Sequence, residues 1–433
     1  MKFLYDLLTI ILVLAAIPVF IVRLIREKGF GERLKQSFGF LPAAALEPVA
    51  GNGCLWLHAA SVGEIVATSP IVKEIRRQLP GQAVLVSVVT ANGYEMAKRI
   101  IPEADSIIFF PLDLPWLSGR VINRIRPKLF VLVETELWPN FLLACRERNI
   151  AVMMVNGRIS DKSVGNYRYL FTILDRMLDT VRRFCMQSTI DAQYIIRLGA
   201  KPRRVFVTGN TKYDQTHTEV SPAERDEITS SLKIPANAKV IVAGSTHRGE
   251  EEYVLSAFNK VRESLPDICL VLAPRDNLRG SEVAGLTAKY NLRAVRRTEL
   301  DKAEGGHDVV VLDTIGELGK IYSIGDVVYV GGSLVARGGH NILEPAAHGK
   351  PILVGPHMFN FKDSYALFSG RGACDTVYDS DELGEKFLSL LGDAAARGAM
   401  GERALAIIRE NQGAAARSVQ HIKEVLASNG QLS

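Results

Sequence analysis

Short runs dense in Val, Ile and Leu recur along this chain with room for one helix between each pair, and that alternation admits few folds. The first series is Cys54–Ala60, Ala83–Thr90, Ser106–Leu112, Leu129–Thr135, Ala151–Asn156, Phe184–Ser188 and Val205–Asn210. A second follows at Val240–Ser245, Ile268–Pro274, Leu292–Arg297, Val309–Asp313, Val327–Gly331 and Pro351–Val354. Continuous apolar runs mean strands covered on both faces, so each series predicts a parallel sheet wrapped by helices. The fold class is therefore α/β, with two doubly wound halves. Thr216–Glu227 is polar, holds Pro222 and reads as the interdomain linker, and the Ala-rich stretch Ala394–Ala427 reads as helical. The expected boundaries are an anchor at 1–28, a first domain at 29–215, the linker at 216–227, a second domain at 228–415 and a helical tail at 416–433. Two such domains facing each other make a cleft, a preferred place for a pocket. One half is expected to hold an acceptor and the other a donor.

Composition narrows the function. With 433 residues, 47% hydrophobic and 23% charged, the chain is long enough for two packed domains and too apolar for disorder. A net charge of +5 and a pI near 8.8 favour an anionic substrate or membrane surface, but the dense basic patches of nucleic-acid binders are absent, so no nucleic-acid partner is expected. Cys54, Cys145, Cys185, Cys269 and Cys374 are scattered and lie mostly inside apparent strands, which excludes a disulfide framework and a zinc site.

Leu7–Val22 carries no charge and, extended to Phe3, is long enough to span a bilayer. Arg23, Arg26, Lys28, Arg33 and Lys35 follow it against Lys2 in front, so the positive-inside rule leaves the rest of the chain in the cytoplasm. The charges lie on the wrong side for a cleaved signal peptide. The expectation is an uncleaved single-pass anchor, with Pro18 leaving a helix lying in the interface as the alternative.

The stretch WLHAASVGEIVATSPIVKEI, from Trp56 to Ile75, places one carboxylate, Glu64, between a buried strand and an amphipathic helix. Ligands of open parallel sheets sit at such strand ends. The spacing also fits a capping box formed by Ser61 and Glu64. Proximity to a helix N-terminus is expected to hold Glu64 ionised.

In the second half, GGSLVARGGHNILEPAAHGKPILVG, from Gly331 to Gly355, reads as a strand end, a glycine-rich loop and a helix that Asn341 can cap. Glycines there allow backbone amides to approach a phosphate, and Glu344 could accept from ribose hydroxyls. It is not the G-x-G-x-x-G of a nicotinamide site. Thr246, His247 and Arg248, then Pro274 and Arg275, then Gly316, Glu317 and Leu318 lie at other strand ends pointing to the same crevice. Arg275 is the natural phosphate partner through its planar fork.

WLHAASVGE, VETELWPN, GNTKYD, APR, GEL and GGSLVARGGHNILEP, in this order, resemble the 3-deoxy-D-manno-octulosonic acid (Kdo) transferases of Gram-negative bacteria. The resemblance runs from the N-terminal anchor to near the end of the chain. It implies a GT-B glycosyltransferase with two facing Rossmann-like domains, which moves Kdo from CMP-Kdo to the lipid A precursor (lipid IVA) at the cytoplasmic face of the inner membrane. It also implies Glu64 as catalytic base, Glu134 and Lys212 as supports of the transition state, and Pro274, Arg275, Gly316, Glu317, Leu318, Asn341, Ile342, Leu343 and Glu344 as contacts to CMP. Ser333 and Thr246 complete the implied substrate set. Glu136, two residues beyond Glu134, is expected to bond loop amides.

An activated donor needs no cofactor and no metal is expected: one general base suffices for an inverting transfer. The basic segment Arg23–Lys35 is expected to attract an anionic membrane surface. A GT-B transferase or epimerase using a UDP-sugar is the enzymatic alternative, and a tethered sugar-nucleotide binding protein the non-enzymatic one.

Overall fold

The computed structural model describes residues 2–27, 29–51, 53–159, 171–216, 220–303 and 305–430. Lys28 of the basic segment and residues 217–219 of the expected linker lie outside them. The chain forms two compact units, Met1–Gln215 with Asn411–Ser433, and Thr216–Glu410.

The first unit is built on β1 (Cys54–His58), β2 (Ala83–Val88), β3 (Ser106–Phe109), β4 (Leu129–Val133), β5 (Ala151–Gly157), β6 (Val181–Met186) and β7 (Val205–Val207). They pair in parallel in the order β3-β2-β1-β4-β5-β6-β7. Every residue of β1, β4 and β5 is buried. Successive side chains alternate between faces: Cys54 and Trp56 enter one core cluster, Leu55 and Leu57 the other. That is why these runs are continuously apolar.

The second unit uses β8 (Lys239–Thr246), β9 (Ile268–Pro274), β10 (Ala294–Arg296), β11 (Val309–Val311), β12 (Val327–Val330), β13 (Ile352–Val354) and β14 (Cys374–Thr376). This sheet is also parallel, in the order β10-β11-β9-β8-β12-β13-β14. β14 was not foreseen from the sequence: it is a three-residue edge strand, Cys-Asp-Thr, with only Cys374 buried.

Strand order reverses beside the first strand of each sheet, between β1 and β4 and between β8 and β12. At such a switch point the loops leaving neighbouring strands diverge and open a crevice. Glu64 and Glu134 follow β1 and β4; His247 and Gly331 follow β8 and β12.

Two sequence readings differ in detail. Pro222 opens the helix Pro222–Ser231, behind a capping box of Ser221 and Glu224, where the sequence suggested an interruption; proline at the first helical position forfeits no backbone bond. The Ala-rich tail is two helices, Ala394–Asn411 and Ala414–Ser428. The second returns to the first unit, where Val419 and Ile422 share a core with Ile71 and Ile75. Asp214 accepts from Gly413 N and Ala415 N at 2.6 Å each and fixes its start.

The N-terminal helix Lys2–Arg26 is long and apolar enough to cross a membrane. Tyr5, Ile10 and Val13 touch the first unit's core, with the Tyr5 hydroxyl donating to Asp113 Oδ2 at 2.9 Å.

The loop after β12 depends on one side chain. Glu250, fully buried, accepts from Gly332 N (2.6 Å), Ser333 N (3.0 Å), Leu334 N (2.9 Å), His247 N (3.1 Å) and the Tyr329 hydroxyl (2.6 Å). Glu250→Ala strands buried donors and is expected to cost at least about 3 kcal/mol. Urea unfolding followed by far-UV circular dichroism reads this; Trp56, Trp116 and Trp138 all lie in the first unit and do not report on the second. An unchanged midpoint would remove Glu250 from this role.

Candidate active site

Beyond β1 the chain turns into the helix Val62–Gln78, with Ser61 as N-cap. The Ser61 hydroxyl accepts from Glu64 N at 3.3 Å and donates to Glu64 Oε1 at 2.8 Å, while Ala60 N–H reaches Glu64 Oε2 at 2.7 Å. This is a displaced capping box, in which the glutamate bonds the residue before the cap. Glu64 is buried. Burial and then Glu136, with a smaller push from Glu134, raise its carboxyl from 4.5 to about 7 against the opposing bonds of Ser61 and Ala60.

That outcome reverses the expectation of an ionised, weak base. A helix dipole contributes about 0.3–1 kcal/mol to holding such a charge, which burial and the two neighbouring glutamates outweigh here.

Glu134, directly after β4, has φ 59°, a left-handed conformation unfavourable for its side chain. Its N–H still donates to Val155 O at 3.0 Å. Its Oε1 accepts from Lys212 Nζ at 3.0 Å and lies 3.5 Å from Asn156 Nδ2. Asn156, buried in β5, accepts from Thr211 N at 2.9 Å, and the Thr211 hydroxyl donates to Ala67 O at 2.7 Å within the Glu64 helix. These bonds set Lys212, whose Nζ stands 3.8 Å from the position a Cβ on Gly63 would take. Glu64, Glu134 and Lys212 therefore meet at one switch point. Asn156 escaped the sequence reading; the signal was a single amide closing an otherwise apolar run.

Burial, and less strongly Glu134, raise Glu136. Its Oε2 is 3.9 Å from His58 Nε2, but no ion pair forms. Burial lowers His58 to about 3, and Trp138 Nε1–H donates to His58 Nε2 at 3.2 Å. The ring proton therefore belongs on Nδ1, which faces Ser87 Oγ at 3.0 Å.

In the second unit, Arg275 leaves β9 exposed and has no hydrogen-bonded or ion-pair partner for its guanidinium among the described residues. Burial raises the half-buried Glu344, with Arg275 opposing. Asn341 Nδ2 donates to Glu344 Oε1 at 3.1 Å, and Asn341 Oδ1 accepts from Leu343 N at 3.1 Å. Glu344 Oε2 lies 3.8 Å from the Cβ position of Gly319, so the Gly316–Leu318 turn and the Asn341–Glu344 segment converge.

Other residues of the set face inward. Thr246 and Ser333 are fully buried. The Thr246 hydroxyl is 3.4 Å from Glu251 Oε1; Ser333 Oγ donates to Val330 O at 2.6 Å and accepts from Gly355 N at 2.8 Å. Ile342 and Leu343 are buried, Pro274 closes β9, and Glu317 is held by Arg297 at 3.5 Å and by the Thr314 hydroxyl. The amides of Gly332, Ser333 and Leu334, read from the sequence as a phosphate cradle, are instead occupied by Glu250.

Comparison with known proteins matches this arrangement to one group. A family model described as 3-Deoxy-D-manno-octulosonic-acid transferase (kdotransferase) matches residues 32–215. The 3-deoxy-D-manno-octulosonic acid transferase of Haemophilus influenzae is 31% identical over 406 residues, 94% of either chain. That of Bordetella pertussis is 31% identical over 398 residues, 90% of this chain and 91% of its own. Among solved structures, UDP-GlcNAc 2-epimerase from Neisseria meningitidis superimposes with a TM-score of 0.56 at 14% identity, over 83% of this chain and 99% of that one. A glycosyltransferase from Rickettsia africae gives 0.55 at 14%, over 87% and 99%. At such identity these two bear on the fold alone, which is GT-B. Sequence identity sustained along nearly the whole length, on a fold whose first switch point gathers Glu64, Glu134 and Lys212, makes this chain a member of the 3-deoxy-D-manno-octulosonic acid transferase family.

Proposed function

We propose that the chain transfers Kdo from CMP-Kdo to the lipid A precursor lipid IVA with inversion, using Glu64 as the general base. The observation that carries this reading is a buried carboxyl at a strand-end switch point, held by Ser61 and Ala60 and pushed upward by burial and by Glu136 and Glu134. The acceptor hydroxyl must lose a proton as its oxygen attacks the anomeric carbon, and a base works best with its pKa near the working pH. Ser61 and Ala60 each occupy one carboxylate oxygen, which leaves lone pairs on both for the incoming hydroxyl. Lys212, partly neutralised by Glu134, offsets charge developing on the sugar. Arg275, whose guanidinium has no hydrogen-bonded or ion-pair partner among the described residues, takes the nucleotide phosphate. Parallel titrations with CMP and UDP separate this donor from a UDP-sugar.

The N-terminal helix anchors the enzyme to the inner membrane with both units on the cytoplasmic side. Its exposed side chains include Leu4, Leu8, Ile11, Leu12, Val19 and Ile25. Moving a few such side chains into lipid gains roughly 1.5–3 kcal/mol each. The Tyr5–Asp113 hydrogen bond contributes about 1–3 kcal/mol. Lipid therefore wins, and the helix crosses.

Four outcomes test these readings. Glu64→Gln is expected to bind CMP normally and to lose transfer by at least roughly a hundredfold; near wild-type turnover removes Glu64 from the base role. In the wild type kcat/KM should rise with pH through a midpoint near 7, because the base acts only when ionised. The same group sets a stability trend: folded Glu64 holds its proton up to about 7 and the unfolded one only to 4.5, so its contribution is full below 4.5 and lost as pH rises through 7. Glu64→Gln should accordingly gain in melting temperature relative to wild type between pH 5 and pH 8. For topology, Lys2→Cys is expected to react with a membrane-impermeant maleimide from the periplasmic side; the native cysteines are all buried and give little background. Protection would mean a helix lying in the interface.

A further inference from the structure

The second unit holds two imidazoles bonded to each other. His247 follows β8 and His340 precedes Asn341; their Nε2 atoms are 2.8 Å apart, with ring centroids at 5.1 Å and 7° between planes. A bond between two Nε2 atoms needs a hydrogen on one and a lone pair on the other. The accepting ring must then carry its own hydrogen on Nδ1, and the donating ring has a bare Nδ1. Neither Nδ1 has a hydrogen-bond partner among the described residues. One extra proton fits on the bare Nδ1 and makes the shared bond charge-assisted. A second would put hydrogens on both facing nitrogens and break it.

The surrounding loop is shaped for this pair. Gly332 has φ 69°, and a Cβ there would stand 2.9 Å from His340 Cδ2 and 3.3 Å from His247 Cδ2. Electrostatically the pair sits among cations. Arg275, Arg279 and Arg337 oppose a charge on His247 and Glu250 favours it; Arg275 and His247 oppose one on His340. Arg279 is engaged by Glu251 at 2.8 Å and Glu282 at 3.1 Å, whereas Arg275 and Arg337 have no ion-pair partner among the described residues. Burial first, and then Arg275, lower His340 to about 4, and burial lowers His247 as well, so both rings favour the neutral form. An anion bound at Arg275 reverses that balance.

We infer that His247 and His340 form a one-proton dyad that takes up a proton from solvent when the donor nucleotide's phosphate binds and presents an Nδ1–H to a phosphate oxygen. This rests on the reading of the second unit as the nucleotide site. As the bond from the sugar carbon to that phosphate breaks, its electron pair goes to the phosphate oxygen. The dyad keeps its proton and donates a stronger hydrogen bond to that oxygen; the proton returns to solvent when the nucleotide leaves. The ligand class is a nucleoside monophosphate or its sugar ester, and the two histidines are positioning groups for its anionic end.

The experiment is a pH titration of the full-length protein labelled with ¹³C in its histidine rings, with the two signals assigned from His247→Gln and His340→Gln. It is run without nucleotide, with CMP and with UDP. The expected result is that one of the two rings raises its midpoint by at least roughly two pH units on nucleotide binding while the other stays neutral. A merely structural pair would show no such response. If nucleotide binds and neither ring moves, the dyad is overturned and the donor site stands. If both rings become charged, the one-proton account is overturned. If neither nucleotide binds, the donor reading falls and takes the dyad with it.

Discussion

Burying a carboxylate where a parallel strand runs into a helix is costly, and everything at the two switch points follows from how that cost is met. Glu64 and Glu250 stand at corresponding places, each shortly after the first strand of its sheet and at or near the start of the next helix. Glu250 receives five hydrogen bonds, four of them from backbone amides. Glu64 receives two and has Glu136 and Glu134 as neighbours. The first is spent on holding a loop. The second retains unused acceptor capacity and an elevated proton affinity, which is what a base requires.

The strands were legible because burial on both faces forces an unbroken apolar composition, and β1, β4, β5, β8 and β9 all declared themselves that way. Where other demands act, the signal fades. β6 begins three residues before its apolar run, at Val181, because Arg182 and Arg183 occupy its start and Arg183 pairs with Glu424 of the returning helix. β14 has one neighbour and a polar sequence, so nothing in its composition separates it from a loop.

The candidate site divides along the same line. Glu64 could be found because its spacing and its strand-end position are both local. Asn156, Glu250 and the His247–His340 pair act over long separations, 93 residues in the last case, and no local pattern predicts such partners. Glu250 stands in the run Gly-Glu-Glu-Glu, which reads as a solvated acidic face. The glycines of the Gly331–Gly339 loop were correctly read as permitting close approach. What approaches Gly332 is Glu250 through its amide and two imidazoles over its missing side chain.

The two units hold opposite electrostatic settings. Burial, and then acidic neighbours, raise the proton affinity of Glu64. Burial, and then basic neighbours, lower the proton affinity of His340, so its imidazole is neutral. Each setting would disable the other group: Glu64 beside Arg275 and Arg337 would ionise fully and become a weak base, and His340 beside Glu134 and Glu136 would be charged before any nucleotide bound. Distributing the chemistry over two separate sheets, each with its own switch point, lets a single chain maintain both fields.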